Sequence, residues 1–328
     1  MSTITLSNAT KFKSQDGKSI LESARQQGIA LEHSCRTGRC GVCKVKMISG
    51  EAGVLRAEES LTAEDKADGL ILTCCRTATT DIQLDVEDLG ELGSIQTKTL
   101  PCRIDSLQFL SDDVVEIVLR TPPASRLEYL PGQYVDMIGK DGLRRSYSIA
   151  NAPREDGKIT LQIRKVEQGK MSRYWFEEAK ANDLLRMEGP LGTFCLRKNY
   201  ASQLILLATG TGIAPVKAML EQLAATPEAN AYSHIHLYWG GRTEKDIYWR
   251  PWFESLPLTF TPVLSRTPDW QGHRRYVQKA VIDDGHNLND AVVYACGSEA
   301  MIHSAHKQLV AAGLNNKHFY SDAFVSSN

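Results

Sequence analysis

The chain has 328 residues, of which 42% are hydrophobic and 23% charged, and its formal net charge is −1. This balance is that of an ordinary globular protein and excludes a global bias toward nucleic acid or membrane surfaces, so we expect neither as a partner. Because the length exceeds the roughly 250 to 300 residues at which single cores stop growing, we predict three domains.

The sequence shows no targeting pattern. Its first residues lack the basic segment and long apolar run of a signal peptide, and no window approaches about 18 consecutive apolar residues. We therefore expect a cytoplasmic protein without a membrane span, and we expect a monomer.

Residues 3–89 alternate in short strand-like stretches around one helix that starts near Ser19. Strand patterns at 43–47 and 81–86 complete a small β-rich body. Residues 87–94 are acidic and contain two glycines, which indicates a linker. We place the first domain at 1–92.

This first domain carries four cysteines, Cys35, Cys40, Cys43 and Cys74, in the order C-x4-C-x2-C-x30-C. That is the ligand spacing of a plant-type [2Fe-2S] ferredoxin, so we predict an electron carrier. Cys75 adjoins the last ligand; we choose Cys74 because it completes the Leu-Thr-Cys phrase of plant-type ferredoxins. A structural zinc site or disulfides fit the spacing less well.

Strand patterns recur at 114–119, 133–138, 146–149 and 159–166. Several strands at such short spacing predict a closed, antiparallel β-barrel, which we place at 99–199.

The hydrophobic pattern of the sequence changes after residue 199. Residues 204–208 form a continuous apolar run, typical of a buried parallel strand, followed by a glycine loop and a helix at 215–223. The same strand-then-loop pattern returns at 234–238 and 291–295. We predict a doubly wound parallel-sheet domain at 200–328, and hence a multidomain α+β and α/β protein.

Two motifs in the barrel domain fit a flavin nucleotide. Arg145 and Tyr147 lie on one face of a predicted strand, and residues 169–172 open a predicted helix from Met171 to Ala179. A cation, a planar aromatic ring and a helix start supply what phosphate and isoalloxazine groups require. The alternative is an ordinary strand with one surface arginine.

This Arg-x-Tyr-Ser motif, followed by Gly-x-x-Ser, resembles the flavin signature of the ferredoxin-NADP reductase superfamily. The resemblance implies that Arg145 holds phosphate, that Tyr147 lies on the isoalloxazine, and that Ser148 bonds near flavin N5. It implies FAD as the cofactor, with FMN as the alternative. The pyrophosphate contacts would come from Gly169, Lys170, Met171 and Ser172.

The glycine loop of the last domain, with Gly210, Thr211, Gly212 and Pro215, lies between a strand and a helix and is suited to cradle a pyrophosphate. Proline at position 215 departs from the G-x-G-x-x-G fingerprint. The loop resembles instead the pyridine-nucleotide half of the same superfamily.

In that family a late strand ends in Cys-Gly, which Cys296 and Gly297 reproduce. The resemblance implies that Cys296 lies beside the nicotinamide and takes part in catalysis with Ser148. It also implies that Asp322 assists hydride transfer and that Phe324 covers the flavin until the nicotinamide displaces it.

The choice between NADH and NADPH stays open at this point. Ser265 and Arg266 lie where NADPH-selective members bind the 2′-phosphate, whereas Glu244 or Asp246 would suit the ribose of NADH. We favour NADH. Three further residues also lie where such members bind the 2′-phosphate: Arg274, Arg275 and Tyr276.

The order ferredoxin, flavin barrel, nicotinamide domain covers the whole chain. Residues 91–96, 145–151 (RSYSIAN), 294–298 (YACGS) and 321–325 (SDAFV) resemble the CDP-6-deoxy-3,4-glucoseen reductases of dideoxysugar synthesis. That resemblance implies a β-grasp ferredoxin domain and electron flow from NADH to an iron-sulfur, pyridoxamine-phosphate-dependent dehydratase that removes a sugar 3-hydroxyl.

Other functions share this module order. Reductase components of multicomponent mono- and dioxygenases have it, and a stand-alone flavin reductase or diaphorase would also fit; a redox sensor would have no use for a nucleotide domain. Arg36 and Arg39 on the cysteine loop suit an acidic partner protein or serve only in solvation.

Overall fold

A computed structural model describes residues 1–139, 142–226 and 232–324. The chain divides into two compact units, 1–96 and 97–328. The domain limits 1–92, 99–199 and 200–328 stay predictions, and Val325 of the SDAFV motif lies outside the described residues. In the described part of the chain, no helix is long and apolar enough to cross a bilayer.

The first unit is built on a mixed five-stranded sheet in the order β2-β1-β7-β3-β5. Strands β1 and β7 are parallel, and the other pairs are antiparallel. Helix α1 begins after Ser19, whose hydroxyl caps it by accepting the Glu22 amide. The strands are β1 Thr3–Thr5, β2 Lys11–Lys13, β3 Lys44–Ser49, β4 Ala52–Val54, β5 Leu70–Leu72, β6 Arg76–Ala78 and β7 Ile82–Asp85; the helices are α1 Ile20–Gln26 and α2 Ala63–Ala67.

This sheet with its single long helix is the expected β-grasp arrangement. Strands β4 and β6 pair separately as a short ribbon. Residues in the predicted linker form a 3-10 helix, Gly90–Ser94. The unit has one hydrophobic core, whose residues range from Ile4 to Leu84 along the sequence. Cys43, Cys74 and Cys75 belong to it.

An antiparallel six-stranded sheet in the order β11-β10-β13-β8-β9-β12 begins the second unit. A bridge between Ile149 and Leu161 joins the region of β11 to β12 and closes the sheet into the predicted barrel. The elements are β8 Lys98–Ser111, β9 Val114–Arg120, β10 Tyr134–Ile138, β11 Arg144–Ser148, β12 Ile159–Arg164, α3 Lys170–Arg173 and β13 Leu184–Leu191.

The helix beside the barrel differs from the prediction. It begins at Lys170 and changes at Tyr174 into a π-helical turn, Tyr174–Glu178, instead of running as one α-helix from Met171 to Ala179. Trp175, fully buried in this turn, packs into the barrel core, and a wider turn suits so large a side chain.

The rest of the second unit is a parallel five-stranded sheet in the order β16-β15-β14-β17-β18. The chain moves outward from β14 in one direction and returns to start again at β17, which confirms the doubly wound topology. The elements are β14 Gln203–Thr209, α4 Ile213–Ala225, β15 His234–Gly241, β16 Leu258–Leu264, α5 Val277–Asp283, β17 Ala291–Ser298, α6 Glu299–Ala311 and β18 Phe319–Phe324.

The point between β14 and β17 where the strand order reverses is where ligands bind in open α/β sheets. The predicted glycine loop follows β14, and Cys296 and Gly297 lie at the end of β17. The fold therefore brings two distant motifs to one edge.

Candidate functional site

The cysteine loop, residues 34–43, carries three thiols, which together with Cys74 form two pairs. The Cys40 thiol donates to the sulfur of Cys35, and Cys43 donates to Cys74. The backbone amides of Thr37 and Cys40 also donate to Cys35 Sγ, both at 3.4 Å. The Cys40 thiol bond and these amides lower the pKa of Cys35 to about 4 against the effect of burial.

Paired thiols suit a two-iron cluster, in which each iron takes two thiolates. A single zinc ion needs four ligands around one point. Among the described residues, no three His, Cys, Asp or Glu side chains form a group that could hold one metal ion. All eight cysteines are free. The residues present therefore fit a [2Fe-2S] cluster, and their assignment as ligands stays a prediction.

Gly38 lets the loop pack closely on Ala57 and Cys75 behind it. Its φ is +87°, and a Cβ atom there would lie 2.4 Å from the Ala57 carbonyl oxygen and 2.6 Å from Cys75 Sγ. Cys75 Sγ in turn contacts Ala57 O at 3.4 Å and Cys74 Sγ at 3.5 Å. Cys75 thus packs beneath the loop, while Cys74 is the one that pairs with Cys43.

A buried ion pair that the sequence did not reveal fixes the strand ahead of Cys74. Glu58 accepts the Leu72 amide at 3.0 Å and a bidentate contact from Arg76, the closer bond at 2.8 Å. Although burial opposes ionisation, Arg76 and the Leu72 amide lower the pKa of Glu58. These partners lie 14 and 18 residues from Glu58, so no local pattern predicts them.

The flavin motif lies on β11, as predicted. Tyr147 OH accepts the Trp175 indole N–H at 3.0 Å, with the two rings edge to face. Burial raises the pKa of Tyr147 to about 12, so the phenol stays neutral. Ser148 is buried opposite Tyr134 on β10, and the half-buried Arg145 donates to the Arg144 carbonyl.

Residues 169–172 form the start of α3, which no side chain caps. Its amide donors and the exposed Lys170 are therefore suited to phosphate. Ser172 Oγ accepts the Val166 amide at 2.7 Å, which shapes the loop and leaves its hydroxyl proton to donate. Met171 is buried in the barrel core, so only its backbone faces a ligand. These groups fit the phosphates of FAD.

The nicotinamide edge, by which we mean Gly210–Gly212 with residues 296 and 297, depends on close backbone approach. A Cβ on Gly212 would lie 2.2 Å from the Cys296 carbonyl oxygen, and one on Gly297 would lie 2.0 Å from Thr209 Oγ1. No side chain caps α4 either, and its third residue, Pro215, has no N–H to leave unpaired. This edge fits a pyrophosphate, with Thr211 only partly buried beside it.

Cys296 and Asp322 are direct neighbours on the parallel strands β17 and β18. Both are buried, and Cys296 has no exposed surface. Burial first, and then the charge of Asp322, raise the pKa of the Cys296 thiol, which is therefore neutral. Phe324 pairs with Ser298 in the same ladder and is partly exposed. Their catalytic roles stay predictions.

The residues proposed for the 2′-phosphate come together at the end of β16. Ser265 N and Oγ both donate to the Gly241 carbonyl, and Arg266 N donates to Arg242 O. A bridge between Leu264 and Arg274 brings the second arginine segment alongside, with Arg275 and the exposed Tyr276 following it. The fold thus brings the two segments side by side, and their binding of a 2′-phosphate stays a prediction.

Asp246, one of the two acids suggested for the ribose of NADH, lies in a hydrogen-bond network inside the protein. It is buried and accepts from the Arg242 and Thr243 amides and from the guanidinium groups of Arg164 and Arg242. Burial opposes ionisation, yet the Thr243 amide and Arg242 lower the pKa of Asp246. Its oxygens are engaged in the protein, and of the two suggested acids only Glu244 is exposed.

Two residues of α4, which sequence reasoning missed, tie the flavin barrel to the nucleotide sheet. Lys217 Nζ donates to Ala150 O at 3.0 Å, and Glu221 accepts the Ala152 amide at 2.9 Å. Lys217 and Glu221 also bond each other. Because an i,i+4 Lys/Glu pair is typical of any surface helix, only the fold shows that this pair holds the segment directly after Ser148.

Comparison with known protein families matches three models along the chain. A 2Fe-2S iron-sulfur cluster binding domain covers residues 4–79, an oxidoreductase FAD-binding domain 101–196, and an oxidoreductase NAD-binding domain 206–307. A reductase named for CDP-6-deoxy-L-threo-D-glycero-4-hexulose-3-dehydrase, from Yersinia pestis, is 44% identical over 96% of both chains. The chain belongs to the iron-sulfur flavoprotein reductases of the ferredoxin-NADP reductase superfamily.

Other members of this reductase family align over nearly the same length. Terephthalate 1,2-dioxygenase reductase component 1 of Comamonas sp. is 32% identical over 96% of this chain and 95% of its own. Two solved structures share the fold at 24% identity. A cytochrome P450 reductase from Amycolatopsis has a TM-score of 0.78 with full coverage of both chains, and the ferredoxin reductase in carbazole 1,9a-dioxygenase has 0.71 over 99% and 98%.

The protein is therefore an NAD(P)H-dependent oxidoreductase that carries electrons from NADH through FAD and a [2Fe-2S] cluster. The predicted fold, enzyme class and cofactors are confirmed. Its relatives are reductase components that serve other proteins.

Proposed function

We propose that this reductase supplies electrons from NADH to the dehydrase that removes the 3-hydroxyl group of a CDP-6-deoxy-4-hexulose. The observation that carries the proposal is the 44% identity, over 96% of each chain, to the Yersinia reductase named for that dehydrase. The motifs at 145–151, 294–298 and 321–325 support the same assignment.

The residues that bind the cofactors are divided between the two units: the cluster thiols lie in 1–96, and the flavin and nicotinamide residues lie in 97–328. When bound, FAD supplies the conversion of a two-electron hydride into single electrons, and the cluster supplies one-electron transfer. Arg145 and the start of α3 hold the flavin phosphates, and the neutral Tyr147 keeps one orientation through its bond to Trp175. The four thiols, Cys35, Cys40, Cys43 and Cys74, would hold the cluster.

At the nicotinamide edge, the glycine loop and the start of α4 bind the pyrophosphate of NADH. Ser148, Cys296 and Asp322 position the nicotinamide, and the burial of Cys296 and Asp322 excludes water from this part of the site. Lys217 and Glu221 keep the segment after Ser148 fixed to the helix that follows the loop, so the two nucleotide sites hold a constant relation.

A second function has support of its own. The 32% identity to the terephthalate dioxygenase reductase component spans 96% of the chain, so an oxygenase is the alternative electron acceptor.

The dehydrase assignment is tested by reconstitution under anaerobic conditions with the purified chain, NADH, CDP-6-deoxy-L-threo-D-glycero-4-hexulose and its 3-dehydrase. We expect loss of the sugar 3-hydroxyl that depends on the chain and on NADH.

The matched arm replaces the dehydrase with the terephthalate oxygenase component, its aromatic substrate and oxygen. Turnover there without turnover in the sugar arm would move the assignment to the oxygenase. Reduction of small acceptors alone, with neither protein served, would make the chain a diaphorase.

A further inference from the structure

The surface beside the cysteine loop holds an excess of positive charge. A cavity of about 400 Å³ opens next to Cys35 and Cys74, and three cations line it, Lys18, Arg36 and Arg56. Glu22 is the single carboxylate among its lining residues. Because cavity walls of low dielectric concentrate the field of such charges, this recess attracts an anionic group.

Two of these cations are linked to each other through the cysteine loop. Arg56 Nη1 donates to the Arg36 carbonyl oxygen at 2.8 Å, although the Arg56 side chain is exposed. Arg36 has a φ of +58°, an uncommon backbone conformation for a residue with a side chain. The two arginine segments are thus fixed to each other at the border of the predicted cluster.

An apolar pair adjoins the arginines. Val54 and Leu55 are 59% and 43% exposed, and Leu55 N donates to the Cys75 carbonyl at 2.8 Å. The pair is therefore anchored to the residue that follows Cys74. Exposed aliphatic side chains next to arginines match the composition of protein interfaces, in which arginine is enriched and lysine and acidic residues are depleted at the centre.

The local charge is opposite to that of the surrounding unit. Residues 1–96 contain eleven Lys and Arg residues against fourteen Asp and Glu residues. Residues 97–328 contain slightly more basic than acidic residues, so the second unit of the same chain is not an acidic body that these cations would match. Charge complementarity points to a separate acidic protein.

We propose that this surface, the cationic cluster edge formed by Lys18, Arg36 and Arg56 with Val54 and Leu55, docks an acidic patch of the electron-accepting protein. The proposal rests on the proposed function, since it names the recognition chemistry of the partner that function requires. Carboxylates of the partner pair with the cations at the rim of this cavity, on the solvent side of the predicted cluster, and the exposed apolar pair contacts the partner alongside them.

The first test reverses the charges of two residues outside the cysteine loop, in Lys18→Glu and Arg56→Glu, with Arg56→Gln as the milder variant. Lys11→Glu, on the exposed side of β2, is the matched control. Binding to the 3-dehydrase is measured by calorimetry at several salt concentrations. We expect each reversal to weaken binding at least tenfold at low salt, with the difference shrinking above about 0.15 M because salt screens exposed charges.

Three readouts separate docking from damage to the protein. Iron content, the visible spectrum of the cluster and the rate at which NADH reduces the cluster should be the same in all four variants as in the original chain. Equal affinity of the original chain and both reversed variants for the dehydrase would overturn the proposal.

A second test works without any partner. The reduced protein is mixed in a stopped-flow instrument with ferricyanide, an anionic oxidant, or with hexaamminecobalt(III), a cationic one, and reoxidation of the cluster is followed. Lys18→Glu and Arg56→Glu should slow ferricyanide and speed the cobalt complex at low salt, whereas Lys11→Glu should change neither.

Unchanged rates with both oxidants would contradict the proposed field and with it the docking surface. If the dehydrase accepts no electrons from the original chain, the proposed function fails, and the oxidant experiment still decides whether the cluster edge selects an anionic partner surface. The two failures are therefore distinguishable.

Discussion

The cluster loop and the nicotinamide edge both depend on glycines whose Cβ positions are filled by neighbouring atoms, but they are assembled in different ways. In the loop, three thiols and two glycines lie within ten consecutive residues, and amides of the same segment donate to Cys35. At the nicotinamide edge, Gly212 packs against the carbonyl of Cys296, which lies 84 residues later in the sequence.

The two sites should therefore respond differently to mutation. The loop is a local structure whose failure should remove the cluster, whereas the nicotinamide edge is the product of strand register and should lose rate or stability in smaller steps. The following variants test that contrast, in order of decreasing expected effect.

The largest effect should follow loss of the fourth thiol. We expect Cys74→Ser to lose the cluster, measured as iron content and the visible and EPR spectra, because Cys43 then has no partner thiol. Cys75→Ser is the matched control, and it should keep the cluster spectrum since Cys75 packs against Ala57. The reverse pattern would show that Cys75 is the ligand.

Gly38→Ala should cost about 2–4 kcal/mol in the free energy of unfolding of the first unit, from a left-handed φ and a clash with the Ala57 backbone. Gly17→Ala is the control, because Gly17 has a similar φ of +70° with nothing within 4 Å of its Cβ position. That variant should lose only about 1 kcal/mol. Thermal loss of the visible circular dichroism of the cluster measures both, and equal losses would argue against close packing of the loop.

Asp246→Asn tests the junction between barrel and nucleotide sheet. Removing the charge that Arg164 and Arg242 share should cost about 2 kcal/mol, whereas the exposed neighbour Glu244→Gln should stay within about 0.5 kcal/mol. Urea unfolding of the two variants is the measurement.

The same aspartate gives a pH dependence with a defined sign. Because the folded-state pKa of Asp246 is lowered, its stabilisation is present above the ordinary aspartate value of about 3.9 and is lost as the pH falls through the folded value. In Asp246→Asn this acid-dependent part should be absent. An unchanged acid limb would mean that Asp246 does not contribute.

Cys296→Ala should slow reduction of the flavin by NADH about tenfold, equivalent to about 1.4 kcal/mol, while the flavin content stays intact. Cys102→Ala, an equally buried cysteine on β8, controls for the cavity that the change creates. Anaerobic stopped-flow absorbance separates the two. An unchanged rate in Cys296→Ala would remove this thiol from the site.

The smallest effect on the reaction with NADH should come from Arg266→Ala. The side chain is exposed at the end of β16, and NADH has no 2′-phosphate for it to bind, so the KM for NADH should stay within about twofold. The KM for NADPH should rise about tenfold. A larger effect on NADH would show that Arg266 contacts a part common to both nucleotides.

Much of the fold follows from local sequence pattern. The apolar run at 204–208 lies within β14, the helix cap at Ser19 begins α1, and the alternation at 114–119 lies within β9. The long strand β8 went unpredicted; its buried residues alternate over 100–104, but its register shifts at 104–106 and again at 109–111. The π-helical turn at Tyr174–Glu178 was missed because only packing of Trp175 in the barrel favours it.

From the sequence alone, cysteine spacing predicted the cluster, and short motifs at 145–148, 169–172, 210–215 and 296–297 predicted flavin and nicotinamide. These are local signals because each motif gathers its groups within a few consecutive residues. Tertiary structure was needed to show which thiols pair, that Asp246 is engaged by two arginines, and that Lys217 and Glu221 fasten Ala150 and Ala152. Such contacts join residues far apart in the chain, and their energy depends on burial and strand register, which no short pattern records.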